Sequence, residues 1–179
     1  ARMGSTRLPG KVMKQLCGKS VLAHVISRVK ACPLVDEVIV ATTNSTSDDL
    51  IVAESEKCRA KWFRGSEEDV LERYYLAAKE YKADVVVRVT SDCPLFDREV
   101  LTQMLNYFNT QRIEGQHIDY LSNALNCRSY PRGLDAEIFT FNALENTFLK
   151  ANELYEREHV TPYIYEHPEI FTSHSYRWE

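Results

Sequence analysis

Two stretches of the chain are almost continuously apolar and rich in β-branched residues, and they predict buried strands. One lies between residues 36 and 42, in the segment VDEVIVAT, and the other, DVVVRV, spans residues 84–89. Strands that are covered on both faces have this pattern, whereas a strand with one face in water alternates between apolar and polar residues. We therefore expect both strands in the middle of a sheet.

Helical patterns lie before, between and after these strands. Residues 20–31, 48–58 and 68–81 each repeat apolar positions at helical spacing. A regular alternation of strand and helix favours a largely parallel sheet with helices on both faces.

The same rhythm continues towards the end of the sequence. Pro162 should kink or start a helix there, because proline cannot donate the backbone hydrogen bond of a helix interior. The remaining elements are predicted as helices over residues 98–109, 142–151 and 156–166, and as strands over 119–121, 136–141 and 172–179. We expect one three-layer α/β/α domain over residues 1–179, with a mostly parallel mixed sheet.

Composition and charge narrow the possible functions. The 179 residues are 44% hydrophobic and carry a net charge of −4, with the cations spread along the chain. A duplex-binding protein would concentrate its basic residues, so no nucleic acid partner is expected. No apolar run reaches the roughly 20 residues that a membrane helix needs, which predicts a cytoplasmic protein without membrane contact.

The five cysteines are widely spaced and form no CxxC pair. This pattern argues against a disulfide framework and against a structural zinc site, so reduced and mostly buried thiols are expected. Cys93, next to Asp92, is the one candidate for a catalytic thiol, although no histidine is adjacent in the sequence.

Residues 1–11, ARMGSTRLPGK, combine two glycines, two hydroxyl side chains and three cations. A triphosphate is best bound by backbone N–H groups of a tight loop and by fixed cationic side chains. The segment matches neither the Walker A loop nor the dinucleotide GxGxxG motif. Composition alone leaves two interpretations open, a phosphate-binding loop and an ordinary basic surface loop.

This loop, with GKSVLAHVISR at residues 18–28, resembles the signature of the sugar-acid cytidylyltransferases, which include the CMP-sialic acid and CMP-ketodeoxyoctonate synthetases. The similarity is greatest to the branch found in spore-coat polysaccharide biosynthesis. It covers most of the chain through four further segments: FRGSEEDVLERYY, TSDCPLFD, YPRGLDAEIF and REHVTPYIYEHPEIF.

The resemblance implies a Rossmann-like nucleotide-diphospho-sugar transferase fold and the transfer of CMP from CTP to a sugar acid, with release of pyrophosphate. It implies that the loop binds the CTP phosphates. The phosphate contacts implied by position are Arg2, Ser5, Arg7 and Lys11, and the catalytic residues are Arg2, Lys11 and Asp92.

Asp92 follows directly on the second buried strand, and ligands of open α/β sheets bind at the carboxyl edge of such strands. The resemblance implies that Asp92 binds Mg²⁺, a cation that prefers one or two carboxylates together with phosphate oxygens. A turn or helix-capping role for Asp92 fits the local sequence equally well, and Asp97 is expected to cap the next helix.

The family also implies a second metal-binding aspartate on a later element. The sequence stops at SYRWE, so we expect this ligand beyond Glu179, with Asp135 or Glu137 as weaker substitutes. The chain also opens inside a loop, so we expect a strand before Ala1 and a continuation at the other end.

The base and ribose are expected near Arg64, Gly65 and Ser66, with Arg73 reaching back from the following helix. The alternative for Arg73 is a solvated helix face paired with nearby acids. The segment YPRGLDAE is suited to a hydroxylated, acidic sugar, although a plain hairpin or a dimer contact would explain it too. The expected sugar contacts are Arg132, Asp135, Glu137 and His159.

Other functions remain open at this point. A related enzyme could use another NTP and a sugar phosphate, and a non-catalytic nucleotide-binding module of a polysaccharide pathway would bind without turnover. A homodimer is expected from the family alone.

Overall fold

The computed structural model describes residues 1–5, 8–126 and 128–178, and these contain seven α-helices and eight strands. The helices are α1 (Val21–Lys30), α2 (Asp49–Lys57), α3 (Val70–Glu80), α4 (Arg98–Ile113), α5 (Phe141–Lys150), α6 (Leu154–His159) and α7 (Pro162–Glu166). The strands are β1 (Gln15–Leu16), β2 (Lys19–Ser20), β3 (Ile39–Thr43), β4 (Lys61–Gly65), β5 (Val85–Arg88), β6 (Tyr120–Ser122), β7 (Glu137–Thr140) and β8 (Ser173–Ser175). Two 3-10 turns, Lys11–Met13 and Thr46–Asp48, lie beside the first loop and before α2.

Strand pairing is mixed, and it is less parallel than the sequence predicts. β3 and β4 pair in parallel, and β6 and β8 do too. β7 runs antiparallel to both of its neighbours, β5 and β6, in a sheet of order β5-β7-β6-β8. The described residues between β6 and β7 contain no helix, so the chain returns as a long hairpin, and this connection makes antiparallel pairing possible.

Two apolar clusters cover opposite faces of this sheet. Leu121 and Ile138 belong to a cluster with residues of α1 and α4, whereas their neighbours Tyr120 and Phe139 pack against α3, α5 and α7. Successive side chains of a strand point to opposite faces, so these two clusters are the two interfaces of a three-layer α/β/α arrangement. A third cluster joins α1, α2 and β3 around Ile51.

Helix starts agree with the capping rules. The side chains of Ser20, Asp69 and Thr140 each accept a hydrogen bond from the backbone N–H three residues later. Asp97 caps α4, as predicted, by accepting from the amide of Glu99 at 2.8 Å.

Three elements differ from the sequence prediction. The helix expected over residues 156–166 is two helices, separated at Val160, with Pro162 in the first turn of the second. The last predicted strand is reduced to β8, and the hairpin of β1 and β2 was not predicted.

Of the four described cysteines only Cys32 is buried, so the prediction of mostly buried thiols was wrong. In the part of the chain that the structure describes, no helix has the length and apolar character needed to span a membrane.

Candidate active site

The candidate site lies where the first loop meets the ends of β3 and β5. The amide of Met3 donates to Asp48 Oδ1 at 2.8 Å, just after β3, and Lys11 Nζ donates to Asp92, just after β5. The loop thereby bridges two strand ends at the carboxyl edge of the fold, the edge where open α/β sheets bind ligands.

Hydrogen bonds to one carbonyl close the loop. The oxygen of Met3 accepts from the amide of Ser5 at 2.8 Å and from the amide of Gly10 at 3.0 Å. Gly10 has φ +65°, a conformation that side chains rarely adopt, and an added Cβ would lie 3.2 Å from Met3 Cε. This turn therefore holds the two sides of the loop together. Two of its residues, Thr6 and Arg7, lie outside the described residues, and the phosphate contact predicted for Arg7 lies there too.

Lys11 and Asp92 form an ion pair, and about a third of each side chain is exposed to solvent. Partial burial alone would raise the pKa of Asp92, but the hydrogen bond and charge of Lys11 and the hydroxyl of Thr90 hold it below its usual value. Asp92 is therefore an ionised carboxylate, facing a cation, at the mouth of the site.

Asp92 is the carboxylate of this site that could bind a metal ion. Among the described residues no group of three or more His, Cys, Asp or Glu side chains converges in a metal-binding arrangement. Asp92 supplies a hard carboxylate oxygen, and Lys11 occupies the position of a cation beside it. Mg²⁺ is commonly held by one or two carboxylates with phosphate oxygens and water, so the single carboxylate fits a metal that arrives with a nucleotide.

Cys93 does not have the character of a catalytic thiol. Burial raises the pKa of its thiol, the Thr90 hydroxyl partly offsets this, and the nearby carboxylates of Asp92 and Asp135 raise it further. The thiol therefore stays protonated at neutral pH.

Arg2 and His159 are brought together in a cleft of about 370 Å³, although they are far apart in the sequence. Arg2 lies 3.9 Å from the carboxylate of Glu67, and both side chains are about half exposed. The cleft is lined by Arg2, Glu67, Glu68, Val70, Glu158 and His159.

The residues expected to contact the base lie at the end of β4 and directly after it. Arg64 pairs with the exposed Asp49, and the carbonyl of Gly65 accepts from the amide of Asn44 at 3.1 Å. The side chain of Arg73 donates to the carbonyl of Ser66 at 2.6 Å, so it does reach back from α3.

Arg73 is only 4% exposed, which contradicts the alternative of a solvated helix face. Its Nε has no hydrogen-bond partner among the described residues. Burial lowers the pKa of its guanidinium from the usual value, and the positive charge of Arg2 also lowers it. Because this Nε is itself buried, the contact that the structure shows for Arg73 is the one that holds the carbonyl of Ser66.

The expected sugar-binding residues reach the same edge because β7 is antiparallel. The start of β7 pairs with the end of β5, with Glu137 opposite Arg88. Arg132 is exposed, and Asp135 pairs with Arg128.

Glu137 is engaged within the protein. One of its oxygens accepts from the hydroxyls of Tyr120 and Thr161, at 2.7 Å and 2.6 Å, and the other accepts from Arg88. Glu137 therefore stabilises the fold beside the site. Both of its oxygens already accept hydrogen bonds, so they have little capacity left to accept one from a ligand.

Sequence reasoning missed Asp48 and Arg88, and it also missed Thr161, which donates to Glu137. Arg88 interrupts the apolar run of β5, and a lone cation in a buried strand is a signal that could have predicted a buried partner. Asp48 was seen only as the start of a helix, and nothing in the sequence pairs it with Met3, 45 residues away.

Comparison with known proteins gives a consistent set of relatives. A family profile described as cytidylyltransferase matches residues 1–178. An uncharacterised protein of Methanocaldococcus jannaschii is 42% identical over 171 residues, which are 96% of this chain and 67% of the relative. The spore coat polysaccharide biosynthesis protein SpsF of Bacillus subtilis is 35% identical over 176 residues, with coverage of 96% and 70%. A 3-deoxy-manno-octulosonate cytidylyltransferase of Geobacter metallireducens is 31% identical, with coverage of 90% and 66%.

Two solved structures resemble this fold. A cytidylyltransferase from Leptospira borgpetersenii superposes with a TM-score of 0.92 at 38% identity, covering 99% of this chain and 73% of the other. A CMP:2-keto-3-deoxy-manno-octonic acid synthetase, solved in complex with CTP, has a TM-score of 0.71 at 17% identity, with coverage of 99% and 87%. The second likeness concerns the fold alone.

Proposed function

This chain belongs to the cytidylyltransferase family and is a nucleotidyltransferase, and we propose that it transfers CMP from CTP to a sugar acid for the synthesis of a surface or spore-coat polysaccharide. The finer part of this proposal, the sugar acid and the pathway, is supported by similarity to SpsF and to the 3-deoxy-manno-octulosonate enzyme.

One observation carries the proposal. The first loop is closed on Met3 and delivers Lys11 to Asp92 at the carboxyl edge of the fold. A loop with flanking cations and a hydroxyl side chain fits a polyphosphate, and an adjacent carboxylate fits the metal that accompanies it. We assign the phosphates of CTP to Arg2, Ser5, Arg7 and Lys11.

The transfer needs positioning and charge neutralisation more than covalent help. A hydroxyl of the sugar attacks the α-phosphorus and loses its proton to solvent, and a new P–O bond forms. The bond between the α-phosphorus and the oxygen that bridges to the β-phosphorus breaks, so that pyrophosphate leaves. Lys11 would exchange its partner Asp92 for a phosphate oxygen, because a triphosphate carries more charge than one carboxylate. Fixed cations next to the leaving group stabilise the charge that develops on it.

Asp92 would hold Mg²⁺ when the nucleotide is bound. The ion would polarise the phosphate oxygens and neutralise part of their charge. Lys11 would then be free to contact the phosphates. Asp92 would therefore pair with Lys11 when the site is empty and with Mg²⁺ when the nucleotide is bound.

The pockets for base and sugar are proposed from their place beside the loop. Arg64, Gly65, Ser66 and Arg73 would contact the base and ribose, since the carbonyls after β4 accept hydrogen bonds and Arg73 is held against them. Arg132, Asp135 and His159 would contact the sugar acid, with Glu137 beneath them. A homodimer and a cytoplasmic location complete the proposal.

Pyrophosphate release in the presence of Mg²⁺ tests this function. CTP, UTP, ATP and GTP would each be combined with 2-keto-3-deoxy-manno-octonic acid, N-acetylneuraminic acid or glucose 1-phosphate. We expect release with CTP and at least one sugar acid, and we expect Asp92→Asn to lower that rate at least about 100-fold, by loss of a metal ligand.

The exposed and distant Asp36 provides the matched control, and Asp36→Asn should leave the rate unchanged. Release from UTP and glucose 1-phosphate in preference to CTP and a sugar acid would contradict the proposal. So would the absence of release from every combination.

A further inference from the structure

Asp48 is a carboxylate that the chemistry above does not use, and it is 1% exposed. A buried charge is costly unless its oxygens are fully hydrogen-bonded. Asp48 lies between β3 and α2, in the 3-10 turn Thr46–Asp48, and directly below the first loop.

The two oxygens of Asp48 have different partners. Oδ2 accepts from the hydroxyl of Thr43 at 2.6 Å, from the hydroxyl of Thr42 at 3.0 Å and from the amide of Thr43 at 3.2 Å. Oδ1 accepts from the amide of Met3 at 2.8 Å. One oxygen is therefore fixed to the end of β3, and the other holds the loop.

Met3 is the residue on which the loop closes. Its carbonyl accepts the amides of Ser5 and Gly10, so the two sides of the loop meet there. Fixing the amide of Met3 therefore fixes the start and the end of the loop relative to β3.

We propose that Asp48 is a positioning residue for the phosphate loop: it holds Met3, and through Met3 it sets the side chains of the loop, among them the cation Lys11, where they meet the triphosphate. This inference rests on the proposed function, because it concerns the binding of CTP to the same loop. Asp48 itself touches no substrate.

The hydrogen bonds that Asp48 receives also keep it ionised. Burial raises its pKa, but the bonds from Thr43, Met3 and Thr42 outweigh this and leave the pKa below the usual value. The clamp is therefore charged at neutral pH, and a bond to a charged acceptor is stronger than one to a neutral acceptor.

Asp48→Asn tests the proposal, because it keeps the shape and removes the charge and half of the acceptor capacity. CTP and inorganic tripolyphosphate would be titrated by calorimetry, and exchange of the Met3 and Gly10 amides would be followed by NMR. We expect the affinity for both ligands to fall about tenfold or more, which corresponds to the loss of one charged hydrogen bond. We expect both amides to exchange faster.

Asp119→Asn is the matched control. Asp119 is 3% exposed and accepts a backbone amide, from Thr172 at 3.0 Å, but it lies before β6 and away from the loop. We expect Asp48→Asn and Asp119→Asn to lower the unfolding midpoint by similar amounts. Asp119→Asn should leave the affinities for CTP and tripolyphosphate within about twofold of those of the unaltered chain, the size of effect expected away from the site.

Three results would overturn the inference. One is an Asp48→Asn protein that binds tripolyphosphate as the unaltered chain does. Another is an Asp119→Asn protein that loses affinity equally. If Asp48→Asn does not fold, Thr43→Val replaces it, because this change removes the shortest hydrogen bond to Oδ2 of Asp48. We then expect the affinity for tripolyphosphate to fall about threefold. An unchanged affinity is the third result that would overturn the inference. Failure of the unaltered chain to bind CTP would instead contradict the proposed function.

Discussion

Glu137 shows how a residue expected to contact a ligand is used within the protein. The sequence places it beside Asp135 in a polar segment, and this predicts a sugar contact. In the structure its carboxylate joins β7 to Arg88 of β5 and to Thr161 before α7. Burial alone would lower the pKa of Arg88, and the neighbouring Glu137 raises it above the usual value. Arg88 therefore carries a positive charge.

Replacing Glu137 with glutamine should destabilise the protein strongly. Arg88 would remain buried with an unpaired charge, and breaking such a pair costs about 3 kcal/mol or more. Urea denaturation would measure the loss in the free energy of unfolding. The exposed pair of Glu37 and Lys61 provides the comparison, since Glu37→Gln should cost less than about 1 kcal/mol. Similar losses for the two variants would show that the Arg88 pair is not a buried support.

The junction of α6 and α7 has an unusual backbone conformation at Val160. Val160 is fully buried and has φ +76° and ψ −52°. The amide of Thr161 donates to the carbonyl of His159 at 3.0 Å, which closes a γ-turn on Val160. A β-branched residue rarely adopts this conformation, and such outliers occur preferentially at functional sites. This turn places His159 at the cleft of Arg2 and Thr161 against Glu137.

Substitutions at Val160 should reveal that strain. Glycine adopts a positive φ without strain, whereas the Cβ of alanine makes this conformation unfavourable. The Val160→Gly protein should therefore have an unfolding temperature at least as high as that of Val160→Ala. Both variants lose the same kind of buried contacts. The matched position is Val25 within α1, where glycine should be less stable than alanine by about 1 kcal/mol. Thermal unfolding would measure the four proteins, and the same order at both positions would contradict a strained turn.

The elements that the sequence predicts well are those with local signals. The existence of the strands β3 and β5 and of the capped helices α1, α3 and α4 follows from periodicity and from the residues at their ends. The prediction that both strands lie in the middle of a sheet was wrong, because among the described residues β5 is a half-buried edge strand and β3 pairs with β4 alone. The break at Val160 does not follow, because the next residue, Thr161, donates to Glu137 of β7, and local sequence does not encode that distant partner.

At the level of the whole molecule, the direction of β7 decides which segments meet. A parallel β7 would carry residues 135–137 to the opposite edge, away from Asp92. The antiparallel strand brings them beside Arg88 and near Cys93. Strand direction depends on how the chain returns after β6, and the apolar pattern alone does not determine it.

The candidate site was predictable where one segment carries several kinds of signal. The loop of residues 1–11 has its glycines, hydroxyls and cations together, and Asp92 follows a recognisable strand. Asp48, Arg88 and Thr161 were not predicted as parts of the site, because each acts through a partner on a distant element.

The most direct test of this account is a calorimetric titration of the unaltered chain with CTP, UTP, ATP and GTP, with and without Mg²⁺. Lys11→Met and the exposed, neighbouring Lys14→Met would be titrated alongside. We expect CTP to bind most tightly and to bind more weakly without Mg²⁺, and we expect Lys11→Met, but not Lys14→Met, to weaken binding at least about tenfold, through the loss of a charged contact to phosphate. Equal affinity for all four nucleotides, or equal effects of the two lysine variants, would contradict a CTP site built on this loop.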